Sequence, residues 1–145
     1  MTKTLLAVAL ILALAVTAHA KDKSKPDDDV HPIDAALGKC IDKDPSTAGM
    51  MGCLATAETA WDSALNQTYG ALTAKLKGPA LESLKVTQRA WVVHRDAEIR
   101  LQESLVDQLD GTMWRAIMAD QRVELIKSRV EQLKSYEQFL DNGKK

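Results

Sequence analysis

The chain has 145 residues with 19 basic and 20 acidic side chains, a formal net charge of −1. That length suits one domain, and that balance excludes a strong electrostatic pull toward nucleic acid. It leaves room for a protein partner, a basic one included.

Residues 1–20 read as a secretory signal peptide. Lys3 supplies the positive start, residues 5–16 an unbroken apolar run, and Ala18-His19-Ala20 a small-x-small cleavage signal. The apolar run is too short to span a bilayer. No cysteine follows the cleavage signal, so no lipoprotein attachment site is expected. The mature chain should be periplasmic or secreted, with no membrane attachment after cleavage. It would hold 125 residues, 18 of them basic and 20 acidic, for a net charge of −2.

Residues 21–32 carry Asp27-Asp28-Asp29 and no apolar period, which reads as a disordered leader. A metal-binding tail built on those aspartates and His31 is conceivable, and a solvated linker is preferred. From Ile33 to Lys43 the spacing of Ile33, Ala36, Leu37, Cys40 and Ile41 predicts a short helix. Asp44-Pro45-Ser46-Thr47 is a helix start, with Asp44 or Ser46 capping free N–H groups.

A first long helix is expected over 47–77, its stripe formed by Met50, Cys53, Leu54, Ala57, Trp61, Leu65, Tyr69, Leu72 and Leu76. Gly78 can end it in the left-handed conformation, and Pro79 can open the next. The second long helix, 79–109, carries Leu81, Leu84, Gln88, Trp91, Arg95, Glu98, Leu101 and Leu105. Asp110-Gly111-Thr112 breaks it, with Thr112 as the cap of a third helix over 112–140. That helix shows Val123, Ile126, Val130, Leu133 and Leu140 on one face, widened by Leu125, Tyr136 and Phe139.

Polar members of an apolar stripe need partners, since a buried unpaired charge or amide costs several kcal/mol, roughly. Folding the first two long helices about Gly78-Pro79 supplies them. Asp62 then faces Arg95, Asn66 faces Trp91, Tyr69 faces Gln88, and Trp61 faces Asp96. An Asp62–Arg95 bridge would fix the register more than it would add stability.

Cys40 and Cys53 form an even pair in an exported chain, more often a disulfide than a metal site or reactive thiol. Closing that loop should stabilise the fold by about 3 kcal/mol. The fold expected is all-α: three long helices in an up-down-up bundle, with a short N-terminal helix tethered by the disulfide, over residues 33–141.

The search for chemistry finds no nucleophile motif and no metal or cofactor set. His94 sits on the flank of a helical stripe, and Asp96 and Glu98 diverge by about 200° on one helix, so they do not act as a pair. The methionines fit gap filling. No catalytic residues are assigned, and the chain is not expected to be an enzyme.

Three segments carry a resemblance. Ser46-Thr47-x-x-Met50-x-x-Cys53, Trp61-Asp62-x-x-Leu65-Asn66-x-x-Tyr69 and Gln88-x-Ala90-Trp91-x-x-x-Arg95-Asp96 resemble the LprI-type lysozyme-inhibitor domain, a small exported bacterial helical domain. Gly111-Thr112 and Arg129-x-x-x-Leu133 are similar to its last segment, so the likeness covers residues 40–133. Many members carry a second cysteine pair; here Ile99 and Gln121 stand in those places, and that staple is missing.

The resemblance implies a protein partner, lysozyme, and an inhibitor that protects the bacterial cell wall; the chain is expected to be a monomer. The motif residues look like packing residues, so no inhibitory side chain carries over from it. An acidic patch suits a cationic lysozyme. Asp42, Asp44, Ser46 and Thr47, held by Cys40–Cys53, form one candidate surface, and the 107–110 turn another; solvated helix ends are the plainer alternative for both. The rival function is a periplasmic structural or adaptor protein that binds an envelope component without catalysis.

Overall fold

The computed structural model describes residues 30–143. The signal peptide and nearly all of the leader expected from the sequence lie outside the described residues. Four helices follow in order: α1 (Pro32–Lys43), α2 (Thr47–Lys75), α3 (Gly78–Val106) and α4 (Met113–Asn142). The described residues contain no strand.

The helix starts follow local chemistry. Pro32 occupies the first position of α1, where its missing N–H is not needed, and His31 Nδ1 accepts the Ile33 N–H at 3.3 Å. Ser46 Oγ accepts the Gly49 N–H at 3.0 Å and caps α2. Gly78 is left-handed, at φ +57°, but it opens α3 and does not close α2. Leu76 and Lys77 lie between the two helices in extended backbone. Gly111 is left-handed in the second break, at φ +93°. Thr112, expected as a cap, makes no capping bond; its hydroxyl lies 3.4 Å from that of Thr47.

The core lies chiefly between α2 and α4. Leu54, Ala57, Trp61, Leu65 and Leu72 of α2 pack with Ala116, Ala119, Val123, Ile126, Val130 and Leu133 of α4. From α3, only Leu84 is fully buried. The apolar stripe read on α3 therefore fails at its far end, where Leu101 and Leu105 are exposed. On α4, Tyr136 and Phe139 do not widen the buried face; Phe139 is 68% exposed. The physical reason is composition. The buried face of α4 is rich in branched aliphatics, with Arg129 its one charged member, whereas the α3 stripe is broken by Gln88, Arg95 and Glu98. The better apolar face takes the place against α2.

Candidate partner-binding surface

The Cys40–Cys53 disulfide joins α1 to α2, with Cα atoms 5.7 Å apart. A second tie is polar. Trp61, 1% exposed, donates its indole N–H to Asp34 Oδ1 at 3.1 Å. Lys127 of α4 binds the other oxygen of the same carboxylate at 2.8 Å. His31 covers the indole, with ring centroids 4.3 Å apart. One carboxylate thus holds three helices together.

The corner between α1 and α2 is held tightly from within. Asp44 Oδ1 accepts the Ser46 N–H at 3.1 Å. Hydrogen bonding to the Ser46 side chain, and next to its backbone N–H, holds the Asp44 carboxyl below its ordinary pKa. A side chain at Gly49 would run into the carboxyl and carbonyl of Asp44, so the chain here passes as close to itself as glycine permits. Asp42, Asp44 and Ser46 are exposed and Thr47 half-buried.

The hydroxyl contact between Thr47 and Thr112 sets the 107–112 turn beside this corner. The two acidic stretches that are far apart in sequence are neighbours. Asp42, Asp44, Asp107 and Asp110 face solvent there, against Lys43 and Arg115. Next to them lie exposed apolar side chains: Leu109 and Trp114 at 40%, Ile117 at 39% and Met113 at 51%. Met113, Trp114 and Ile117 stand three and four residues apart, so they share a face of α4. An exposed tryptophan and methionine close in sequence to exposed charges suits a protein contact surface. Trp114 was not singled out from the sequence, because residues 113–118 are apolar on more than one side and periodicity gives them no direction.

The motif residues occupy a different place. Arg95 Nη1 lies 3.6 Å from Asp62 Oδ1 across α2 and α3, and Arg95 Nη2 binds Asp96 on its own helix at 2.8 Å. The other three facing pairs read from the sequence are not joined. Asn66 bonds to Asp62 within α2. Gln88 accepts from Arg129 of α4 and not from Tyr69. Trp61 turns to Asp34 and not to Asp96. Trp91 lies between two guanidinium groups, those of Arg95 and Arg129, at 5.5 and 5.9 Å from its ring centroid. Tyr69 packs half-buried against the core. Trp61, Asp62, Gln88 and Arg95 connect helices, whereas Asn66 and Asp96 are bonded within their own. Among the described residues no group of three or more His, Cys, Asp or Glu side chains could hold a metal ion.

No helix among the described residues is long and apolar enough to cross a membrane. Among curated proteins, none matches the chain. The crystal structure of an uncharacterized protein from Burkholderia thailandensis is similar, with a TM-score of 0.72 and 25% sequence identity. The match covers 77% of this chain and 56% of that one, so the chain corresponds to little more than half of that protein. A family model described as "Lysozyme inhibitor LprI" matches residues 40–133.

Proposed function

Since the chain belongs to the lysozyme inhibitor LprI family, we propose that it binds lysozyme through the end of the bundle where the α1–α2 corner meets the 107–112 turn. On this reading residues 33–141 are the working unit, exported with residues 1–20 removed. The three long helices run up, down and up, and the protein acts as a monomer without catalysis. Its target carries two carboxylates in a substrate cleft, and an inhibitor needs only to fill that cleft or cover it.

The observation that carries the assignment of surface is the convergence itself. The Thr47–Thr112 contact sets the corner that carries the exposed Asp42 and Asp44 beside the segment that carries the exposed Asp107, Asp110, Met113 and Trp114. Acidic groups steer a cationic enzyme, and the apolar side chains supply contact area. The disulfide and the Asp34 bonds hold that end in place before binding, so little freedom is lost when the partner arrives.

The test is lysis of cell-wall suspensions by lysozyme with the purified chain titrated in. Slowing that saturates with added protein is expected. Trp114→Ala should weaken it at least about tenfold, which is about 1.4 kcal/mol. Asp107→Asn with Asp110→Asn should weaken it most at low salt. Unslowed lysis at large molar excess of folded protein rejects the reading. Capture of an envelope protein in place of lysozyme supports the adaptor role.

A further inference from the structure

A second surface lies toward the other end of α4, away from Trp114. There α2, α3 and α4 leave a groove of about 530 Å³, in the size range of small-molecule sites. Leu72, Leu76, Leu84, Phe139 and Leu140 give it apolar walls. Arg129 lines it as well, and only 6% of that residue is exposed.

Arg129 is the one charged residue fully buried among the described residues. It has no carboxylate within salt-bridge distance among them; its Nε donates to Gln88 Oε1 at 3.0 Å and its Nη1 to Gln132 Oε1. Both acceptors are neutral amides. Nη2 is shut off from water and has no hydrogen-bond partner among the described residues. Burial pushes the guanidinium below its usual pKa, yet an arginine keeps its charge. A buried cation without a counter-ion is costly, and an unpaired N–H adds to that cost. Glu137 and Asp141, farther along α4, are bound by Lys75 and do not serve it.

We propose that this groove binds a fatty acid, with the carboxylate on Arg129 and the acyl chain along the leucines and Phe139. The chemistry matches at both ends. A carboxylate supplies the negative charge and the acceptors that Nη2 lacks, in the geometry guanidinium favours. An acyl chain brings no backbone N–H or C=O groups, which these apolar walls could not satisfy. The 68% exposure of Phe139 is covered by the same occupant. Gln132 and Tyr136, both solvent-exposed at the rim, rotate to give the head group access to Nη2.

Titration calorimetry of the full chain with sodium laurate, kept below its micelle concentration, tests the assignment. Saturable one-to-one binding is expected, with dodecanol at least about tenfold weaker because it carries no charge. Phe139→Asp, at an exposed position away from the core, should weaken laurate at least tenfold while circular dichroism stays helical. Absence of saturable binding overturns the proposal, as does equal affinity for laurate and dodecanol. Unchanged laurate binding in Phe139→Asp overturns it too. A dimer that Phe139→Asp dissolves, with no laurate bound, gives the groove to a second copy of the chain and overturns it likewise.

Discussion

Trp61 and Asp34 are 27 positions apart and joined by a hydrogen bond of 3.1 Å between the buried indole and the carboxylate of the short first helix. The indole N–H is satisfied only because α1 folds back over α2. Asp34 also neutralises Lys127, so the contact couples three helices through one side chain.

Removing either partner should therefore cost more than an average surface change. Trp61→Ala empties the largest fully buried side chain of the core and should destabilise by about 3–5 kcal/mol. Asp34→Ala leaves the indole N–H unpaired and should cost about 1–3 kcal/mol. Urea unfolding midpoints give both values. An Asp34→Ala midpoint equal to that of the parent would show that the bond is not formed in solution.

Stability should fall at both extremes of pH. Hydrogen bonding to Asp34 holds the Lys127 ammonium above its ordinary pKa of 10.5. Its contribution is complete below pH 10.5 and is lost as pH rises through the folded value. Lys75, raised by bonding to Glu137 and then Asp141, acts with the same sign. Asp44 is lowered from 3.8 by its bonds to Ser46, so its contribution is present above 3.8 and disappears as pH falls through the folded value. Melting temperature against pH should show Lys127→Met flattening the alkaline limb and Asp44→Asn the acid limb.

Two glycines of α2 should respond oppositely to the same substitution. At Gly49 an added Cβ meets the backbone carbonyl and the carboxyl of Asp44, so Gly49→Ala should cost about 1–3 kcal/mol and open the α1–α2 corner. At Gly52 nothing lies within 4 Å, and Gly52→Ala should stabilise by about 0.4–1 kcal/mol through helix propensity and loss of chain freedom. Thermal melts of the two variants suffice.

The disulfide should act on α1 more than on the rest. It closes a separation of 13 residues, for which the chain-entropy account gives about 3 kcal/mol. Cys40→Ser with Cys53→Ser should lose that amount and raise amide exchange through 32–43. Exchange in the buried segments of α2 and α4 should change far less, since most of that core is made by α2 and α4 directly against each other. Equal exposure of all four helices would show instead that α1 is integral to the fold.

Much of the layout was legible in the chain before any coordinates. The capped start at Ser46, the left-handed Gly78, the break at 110–112 and the Cys40–Cys53 pairing are local devices, and local chemistry specified them, although Gly78 opens α3 where it was expected to close α2. The Asp62–Arg95 ion pair was legible as well, from the matching positions of the two charges on either side of Gly78-Pro79, although α2 and α3 otherwise pack little against each other. The candidate surface was seen as two separate stretches. Their meeting through Thr47 and Thr112 was not, because it joins residues 65 apart.

What the sequence determined by itself is therefore the set of helices, the start at Ser46 and the covalent tie, all governed by interactions within a few residues. Which helix would lie against α2 was decided only in the folded molecule. Adjacency along the chain favoured α3, but Val123, Ile126, Val130 and Leu133 offer α4 a face rich in branched aliphatics. Burial rewards the area removed from water without regard to chain order. The same competition left Arg129 buried with no counter-ion among the described residues, and left Trp114 exposed among them.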